Sequence, residues 1–228
     1  MKTPAERLAW ARAEQARLAS RRHEAPLPPG IRYVGGADVS CSLWDRTFWG
    51  AVVVCDLEAD LCVVDRATVR MDVDFPYIPG LLAFREVPVL ERAFARLRVR
   101  PGVVLVDAHG TAHPRRFGSA AHLGVVLGLP TVGCAKSLLC GTFAEPGPGR
   151  GEWSPLLLDG ETVGAALRTR PGVRPVFVSP GHLADLTSSL EVVLRCLGRY
   201  RLPEPLRAAH RLCNEARRRS VAAIPGRE

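Results

Sequence analysis

An α/β fold, a mixed sheet flanked by helices, is predicted by three features of the 228-residue chain. Residues Val103 to Val106 are apolar at every position, as expected of a central strand covered on both faces. Three β-rich segments precede that strand with no helix between them, and strand-like and helix-like segments alternate around and beyond it. Hydrophobic residues make up 47% of the chain, enough for a full core, so one domain spanning residues 1–228 is expected.

Residues 3–23 carry helix formers, with Leu8, Ala11 and Leu18 on a weak apolar stripe among Arg7, Arg12, Arg17, Arg21 and Arg22. This reads as a surface helix with a basic face. Leu27-Pro-Pro-Gly30 breaks it. Strands are expected over 31–39, 48–57 and 61–71, which could form an antiparallel meander. Residues 80–98 place apolar side chains at 82, 87, 90, 94 and 97 and suit a helix, with a kink at Pro88. Strand 103–106, a helix over 115–127 and strand 130–135 follow. Glu145-Pro-Gly-Pro-Gly-Arg-Gly151 reads as an exposed, poorly ordered loop, not a domain boundary, because strands resume at 155–158, 162–168 and 175–178. Helices over 183–197 and 204–218 close the chain, and a basic tail over 219–228 is expected to fray. Three strands, a helix, then alternating strand and helix is the order of the ribonuclease H-like fold, in which strands one and four are neighbours.

The count of 31 Lys+Arg against 23 Asp+Glu leaves a formal charge of +8, which favours DNA, RNA or an anionic membrane as partner. Seven cysteines form no CxxC pair, are odd in number and mostly lie in apolar runs, so they read as reduced core residues of a cytosolic protein. No stretch approaches the roughly 18 to 20 apolar residues of a membrane span, and the N-terminus lacks the apolar core of a secretory signal. A cytoplasmic monomer with no membrane partner is the expectation.

Asp107 closes the run Pro101-Gly-Val-Val-Leu-Val-Asp107, and Asp38 closes Ile31-Arg-Tyr-Val-Gly-Gly-Ala-Asp38. Both carboxylates therefore stand where a strand leaves the core, and ligands of such sheets bind beyond the carboxyl ends of the strands. Glu86, on the intervening helix, offers a third. Three oxygen donors suit Mg²⁺ or Mn²⁺, whereas Zn²⁺ would want His or Cys. Such an ion activates water and stabilises the charge that develops in displacement at phosphorus. Taken singly, each acid reads first as a surface charge or a cap, and it is the position of two of them at strand ends that favours a shared site.

Lys136 stands out because the chain has 29 Arg and only two Lys, the other being Lys2. A lysine at a strand end suggests a compact charge for a phosphate oxygen; the alternative is drift at a surface site. In Pro76-Tyr77-Ile78-Pro79-Gly80 an aromatic sits between two φ-locked residues, which makes either a stiff projecting wedge or a core contact. Wedges of this kind fill the stack when a nucleotide is extruded. Pro114 near a helix start, with Arg115 and Arg116 in the first turn, suits an anion site at a helix N-terminus, though both arginines read equally as solvated. His109 and His113 are not read as a zinc pair, because Gly110 and the strand end make a loop and no HExxH glutamate is present. His210, alone on the last helix, reads as structural.

Gly36-Ala-Asp38-Val-Ser40, Pro76-Tyr-Ile-Pro-Gly80, Phe84-Arg-Glu86, Val106-Asp-Ala-His-Gly110, His113-Pro-Arg-Arg-Phe-Gly118, Gly133-Cys-Ala-Lys136 and Tyr200-Arg-Leu-Pro-Glu-Pro205 together resemble the endonuclease V family of deoxyinosine 3′ endonucleases. The likeness spans about residues 31–210, and its specificity lies in the order and spacing of the motifs. The resemblance implies a ribonuclease H-like, Mg²⁺-dependent nuclease that recognises hypoxanthine in DNA and nicks the second phosphodiester on its 3′ side, with Mn²⁺ able to substitute. By that resemblance Asp38, Glu86 and Asp107 hold the metal, Lys136 contacts the scissile phosphate region and His210 helps to place the attacking water. Tyr77 is the wedge, and main-chain groups near Gly80, Leu82, Ala108 and Gly118 line the pocket for the flipped base. The chain departs from the family pattern at Ala108, usually glycine, at Ser137, usually basic, and over Leu183-Ala-Asp-Leu-Thr187. An inosine-specific ribonuclease and a non-catalytic nucleic-acid-binding module are the alternatives.

Overall fold

β1 (Tyr33–Ser40) organises the molecule, because it pairs with a neighbour of each kind. On one side it runs antiparallel to β2 (Thr47–Asp56), which is itself antiparallel to β3 (Cys62–Asp72), forming the expected meander. On the other side it runs parallel to β4 (Val103–Val106), as the ribonuclease H-like order requires, with Ala37 opposite Val106. β5 (Thr131–Ala135) continues the parallel set. The computed structural model describes residues 3–41 and 46–222, and one sheet runs through them. Beyond β5 it is completed by β9 (Val176–Pro180), β8 (Glu161–Leu167), β7 (Trp153–Leu158) and the two-residue β6 (Thr142–Phe143). The strand order is β3-β2-β1-β4-β5-β9-β8-β7-β6.

The alternation of β4 explains the layers. Val103 and Leu105 pack with Leu190, Val193 and Leu206, from α4 (Leu186–Arg195) and α5 (Glu204–Ala222), on one face. Val104 and Val106 pack on the other, with Val87 and Leu90 of α2 (Ala83–Phe94) and Ala120 and Leu123 of α3 (Ser119–Leu127). Leu90, Leu105, Leu123 and Leu206 are among the largest fully buried side chains, and each contributes about 1.5–3 kcal/mol by leaving water. α5 comes close to β1 because of Gly36: a Cβ there would lie 2.1 Å from the carbonyl oxygen of Pro205. Only glycine lets the last helix seat on the strand that ends in Asp38.

Several elements differ from expectation. α1 (Pro4–Ala19), with a Thr3/Glu6 capping box, is not a plain surface helix. Its Ala11, Gln15 and Leu18 are buried, and Leu18 joins Phe117, Ala121 and Val125 in a satellite core. α3 starts at Ser119, later than the expected 115, because Arg116 takes a left-handed φ of 53° and Gly118 is extended, which no helix can absorb. The 145–151 loop is present but tied down: Arg168 donates to the carbonyls of Gly147 and Pro146 and pairs with Glu145. α4 is capped by Asp185, whose side chain accepts from the amide of Ser188 at 2.8 Å, giving a structural role to one residue of the atypical 183–187 stretch. α5 runs through Ala222, past the point where fraying was expected, and Ser220 accepts the indole N–H of Trp49 at 3.0 Å. Residues 223–228 of the expected tail lie outside the described residues.

Candidate active site

Parallel pairing of β1 and β4 brings the two strand-end acids together, and the amide of Asp107 donates to the carbonyl of Ala37 at 3.1 Å. Asp38 is largely buried. Its Oδ1 accepts from the amide of Val39 at 2.8 Å, and its Oδ2 meets Nδ1 of His210 at 2.7 Å and Sγ of Cys213 at 3.6 Å. Burial, then the negative charge of Asp107, pushes its carboxyl above the ordinary range, against the pull of His210. Glu86, in the first turn of α2, is pushed up to about 7 by burial and then by Asp38 and Asp107, while a hydrogen bond from Ser119 works the other way. Asp38 therefore feels Asp107, and Glu86 feels both aspartates, which is the electrostatic mark of convergence. Asp107 is the partner of the Lys136 ammonium, an ion pair formed at the end of β5.

The backbone around Lys136 is clamped from two sides. Nη2 of Arg201 donates to the carbonyls of Lys136, at 2.6 Å, and Pro175, at 2.8 Å, and Nε2 of His109 lies 3.0 Å from the carbonyl oxygen of Ser137. His210 is held at both ring nitrogens, by Asp38 and, at 3.2 Å, by the Asn214 side chain. Asn214 is in turn fixed by the hydroxyl of Ser40 at 2.8 Å. That network assigns the ring proton to Nδ1. Gly36, by letting α5 seat on β1, brings His210 to Asp38.

A cavity of about 330 Å³ opens beside the carboxylates, within the range of small-ligand pockets. Glu86, Asp107 and Lys136 stand in its wall, together with Tyr77, Gly80, Leu82, Ala108 and Gly118, the residues assigned to wedge and pocket. Tyr77 is exposed, which fits a projecting aromatic and not a core contact. Gly80 takes a φ of +76°, and its carbonyl accepts from Gln15 at 3.1 Å and Arg115 at 2.5 Å, so the turn that carries Tyr77 is fixed from two elements. The amide of Ala108 donates to Val106 and that of Gly118 to Gly110, so both residues shape the wall with amides already engaged. Gln15, His109, His113, Phe117, Ser119, Leu138 and Leu139 also line the cavity and were not anticipated as pocket residues. Their roles come from long-range approach, which no local pattern announces.

Arg115 and Arg116 are not in the first turn of a helix. Arg115 donates to Gln15 and Gly80, and Arg116, turned by its positive φ, reaches the carbonyl of Leu158 and the carboxylate of Glu161. The helix N-terminus expected at these arginines lies instead at Ser119, and both are tied to neighbouring carbonyls and side chains.

Asp38, Glu86 and Asp107 are the groups that could hold a hard divalent cation, and the raised Asp38 and Glu86 carboxyls fit that use, since a cation would relieve the crowding of negative charge. Among the described residues, the set whose donor atoms lie within 4.8 Å of one another is a softer one, Asp38, His210 and Cys213. Burial pushes the Cys213 thiol up, and as a protonated thiol it is a donor to Asp38, not a ligand. All seven cysteines are free, as expected, and Cys55, Cys134, Cys196 and Cys213 are buried.

The family model for Endonuclease V matches residues 13–211. The chain belongs to the Endonuclease V family. An Endonuclease V of Myxococcus xanthus is 50% identical over 193 residues, covering 84% of this chain and 82% of that relative. The crystal structure of Endonuclease V from Streptomyces avermitilis superposes with a TM-score of 0.89 at 44% identity, covering 97% of this chain and 96% of that one. Ciona intestinalis Endonuclease V, crystallised with a 24mer DNA containing an inosine followed by a ribo-adenosine, superposes with a TM-score of 0.82 at 27% identity, over 94% of this chain and 99% of that one. Among the described residues, no helix is long and apolar enough to cross a membrane.

Proposed function

We propose that the protein is a divalent-metal-dependent endonuclease, working as a single domain, that recognises deoxyinosine in DNA and hydrolyses the second phosphodiester bond on its 3′ side. The observation that carries this reading is a cavity of about 330 Å³ with Tyr77 on its rim and Glu86, Asp107 and Lys136 in the same wall. A base extruded from a duplex could occupy such a cavity while its own strand lies across the carboxylates.

Tyr77 fills the gap left in the stack, held by the turn that Gln15 and Arg115 fix. Gly80, Leu82, Ala108 and Gly118 form the walls around the base, and the Ala108 methyl narrows that space relative to a glycine. The place for Mg²⁺, with Mn²⁺ as a substitute, is Asp38, Glu86 and Asp107; what the ion supplies there is an activated water and neutralisation of charge at phosphorus. Lys136 presents its ammonium to the same phosphate and stabilises the negative charge that develops on its oxygens. His210, oriented by Asp38 and Asn214, helps to place the attacking water. Catalysis of phosphodiester hydrolysis needs a barrier reduction of about 8 to 23 kcal/mol, more than a basic groove alone supplies, so the charged cluster is essential to the reading.

An inosine-specific ribonuclease is the second reading, favoured by one observation: the Ciona intestinalis relative was crystallised on a strand in which a ribonucleotide follows the inosine. Cleavage of matched inosine-containing DNA duplex and inosine-containing RNA, each with Mg²⁺ or EDTA, tests both. The proposal expects a metal-dependent nick 3′ of inosine in the DNA. Cleavage of RNA alone would transfer the assignment to the ribonuclease, and tight binding with no cleavage of either would leave only a binding module.

A further inference from the structure

A second cavity, of about 410 Å³, shares one wall residue with the first, and that residue is Lys136. The rest of its lining is Tyr200, Arg201, Leu202, Arg207, His210 and Arg211. Among the described residues no carboxylate lines it, whereas Glu86 and Asp107 stand in the first. One cavity is thus mixed in charge and the other lined by basic groups, with Lys136 between them.

The basic groups are arranged and not merely abundant. The guanidinium of Arg207 lies 3.3 Å from the centroid of the Tyr200 ring and reaches Glu204 at 2.7 Å, so it is held flat. Arg201 spends its donors on the carbonyls of Lys136, Pro175 and Arg174, which fixes its position without neutralising its charge. Arg211 is exposed one turn beyond Arg207 on α5, and no ion pair of its side chain is found among the described residues. Like charges at this spacing repel by about 0.2–0.5 kcal/mol, a cost that a bound anion removes. Arg207 covers one face of the Tyr200 ring, which leaves less of it for stacking a base. Phosphates and sugars therefore suit this cavity better than bases, with Leu202 as the apolar side.

We propose that the second cavity holds the sugar–phosphate backbone of the cut strand on the 3′ side of the scissile bond. This rests on the nuclease reading above: a strand with its lesion in the first cavity and its cut at Lys136 must continue past Lys136, and the second cavity is what lies there. The two pockets then bind one strand on either side of the reacting phosphate.

The test compares two labelled inosine-containing strands, one ending a single nucleotide past the expected cut and one continuing for most of a helical turn. Affinity is read by fluorescence anisotropy in EDTA, and nicking is read separately with Mg²⁺. Wild type is expected to bind the longer strand about tenfold more tightly, since each phosphate neutralised releases counterions. Arg211→Glu, and to a lesser degree Arg211→Ala, should erase that advantage. Arg92→Glu makes the same charge change at an exposed site on α2 and should keep it. Equal wild-type affinity for the two strands, or equal loss in both glutamate variants, overturns the inference. If wild type nicks neither strand, the nuclease reading falls and takes this one with it; if it nicks the inosine strand without a length effect, this one alone falls.

Discussion

Glu86→Gln offers the most stringent test of the carboxylate cluster, because it can be read without any cleavage assay. Burial and the two aspartates raise the Glu86 carboxyl from 4.5 to about 7. Below pH 4.5 the group is protonated in both folded and unfolded chains and costs nothing. As pH rises from there the unfolded chain ionises first, so stability falls, and the loss is complete once pH passes 7 and the folded carboxyl ionises too. At 1.36 kcal/mol per pH unit, and discounted because the cavity admits water beside the group, the penalty is about 2–3 kcal/mol. Asp38, also raised, pulls in the same direction from lower pH. The glutamine variant lacks the Glu86 penalty. Urea unfolding in EDTA should therefore show wild type and variant close together near pH 4.5, and the variant more stable by about 2–3 kcal/mol at pH 8. Mg²⁺ should then stabilise wild type at pH 8 more than it does the variant. A difference between the two proteins that does not change with pH would refute the argument that the three acids are electrostatically joined.

Lys136→Ala removes the ammonium paired with Asp107 and should lower kcat on inosine DNA by about 10²–10³-fold, measured in single-turnover kinetics; a change below tenfold would remove it from the phosphate site. Tyr77→Ala should weaken binding by about 1–3 kcal/mol on lesion duplex and little on intact duplex, read by anisotropy, whereas uniform loss would exclude a wedge. Gly36→Ala places a methyl 2.1 Å from the Pro205 carbonyl, so α5 must shift. About 1–3 kcal/mol of stability should be lost, with activity falling further because His210 moves off Asp38, and an unchanged melting temperature would contradict the seating of that helix.

The order of elements and the neighbouring strands were legible because they rest on local patterns: apolar runs, proline and glycine breaks, and carboxylates at strand ends. Asp38, Asp107 and Lys136 are visible for that reason, each closing an apolar segment. Glu86 as a third carboxylate and Tyr77 as a wedge could be offered from the residues, and the resemblance chose these roles over their ordinary explanations, a surface charge or cap and a core contact. What stayed hidden was long-range. Nothing near Cys213 or Asn214 in the chain says that they sit behind Asp38 and His210, and nothing near Arg201 says that its guanidinium will hold the Lys136 carbonyl. Arg115 and Arg116 misled because Pro114 reads as a helix start, and the left-handed turn at Arg116 postpones that start. β6, two residues long, is too short for any periodicity.

Gln15 gives the amino-terminal helix a mechanical importance out of proportion to its solvent-facing charge. Its amide donates to the carbonyls of Gly80 and Phe117 and accepts from Arg115, so one side chain braces both the aromatic rim and the opposite wall of the pocket. A shortened protein beginning after this helix would retain every strand and the Asp38, Glu86 and Asp107 carboxylates, yet its mouth would sag. Trimming that end, a routine step in preparing proteins, would here loosen the pocket walls before it touched the carboxylates.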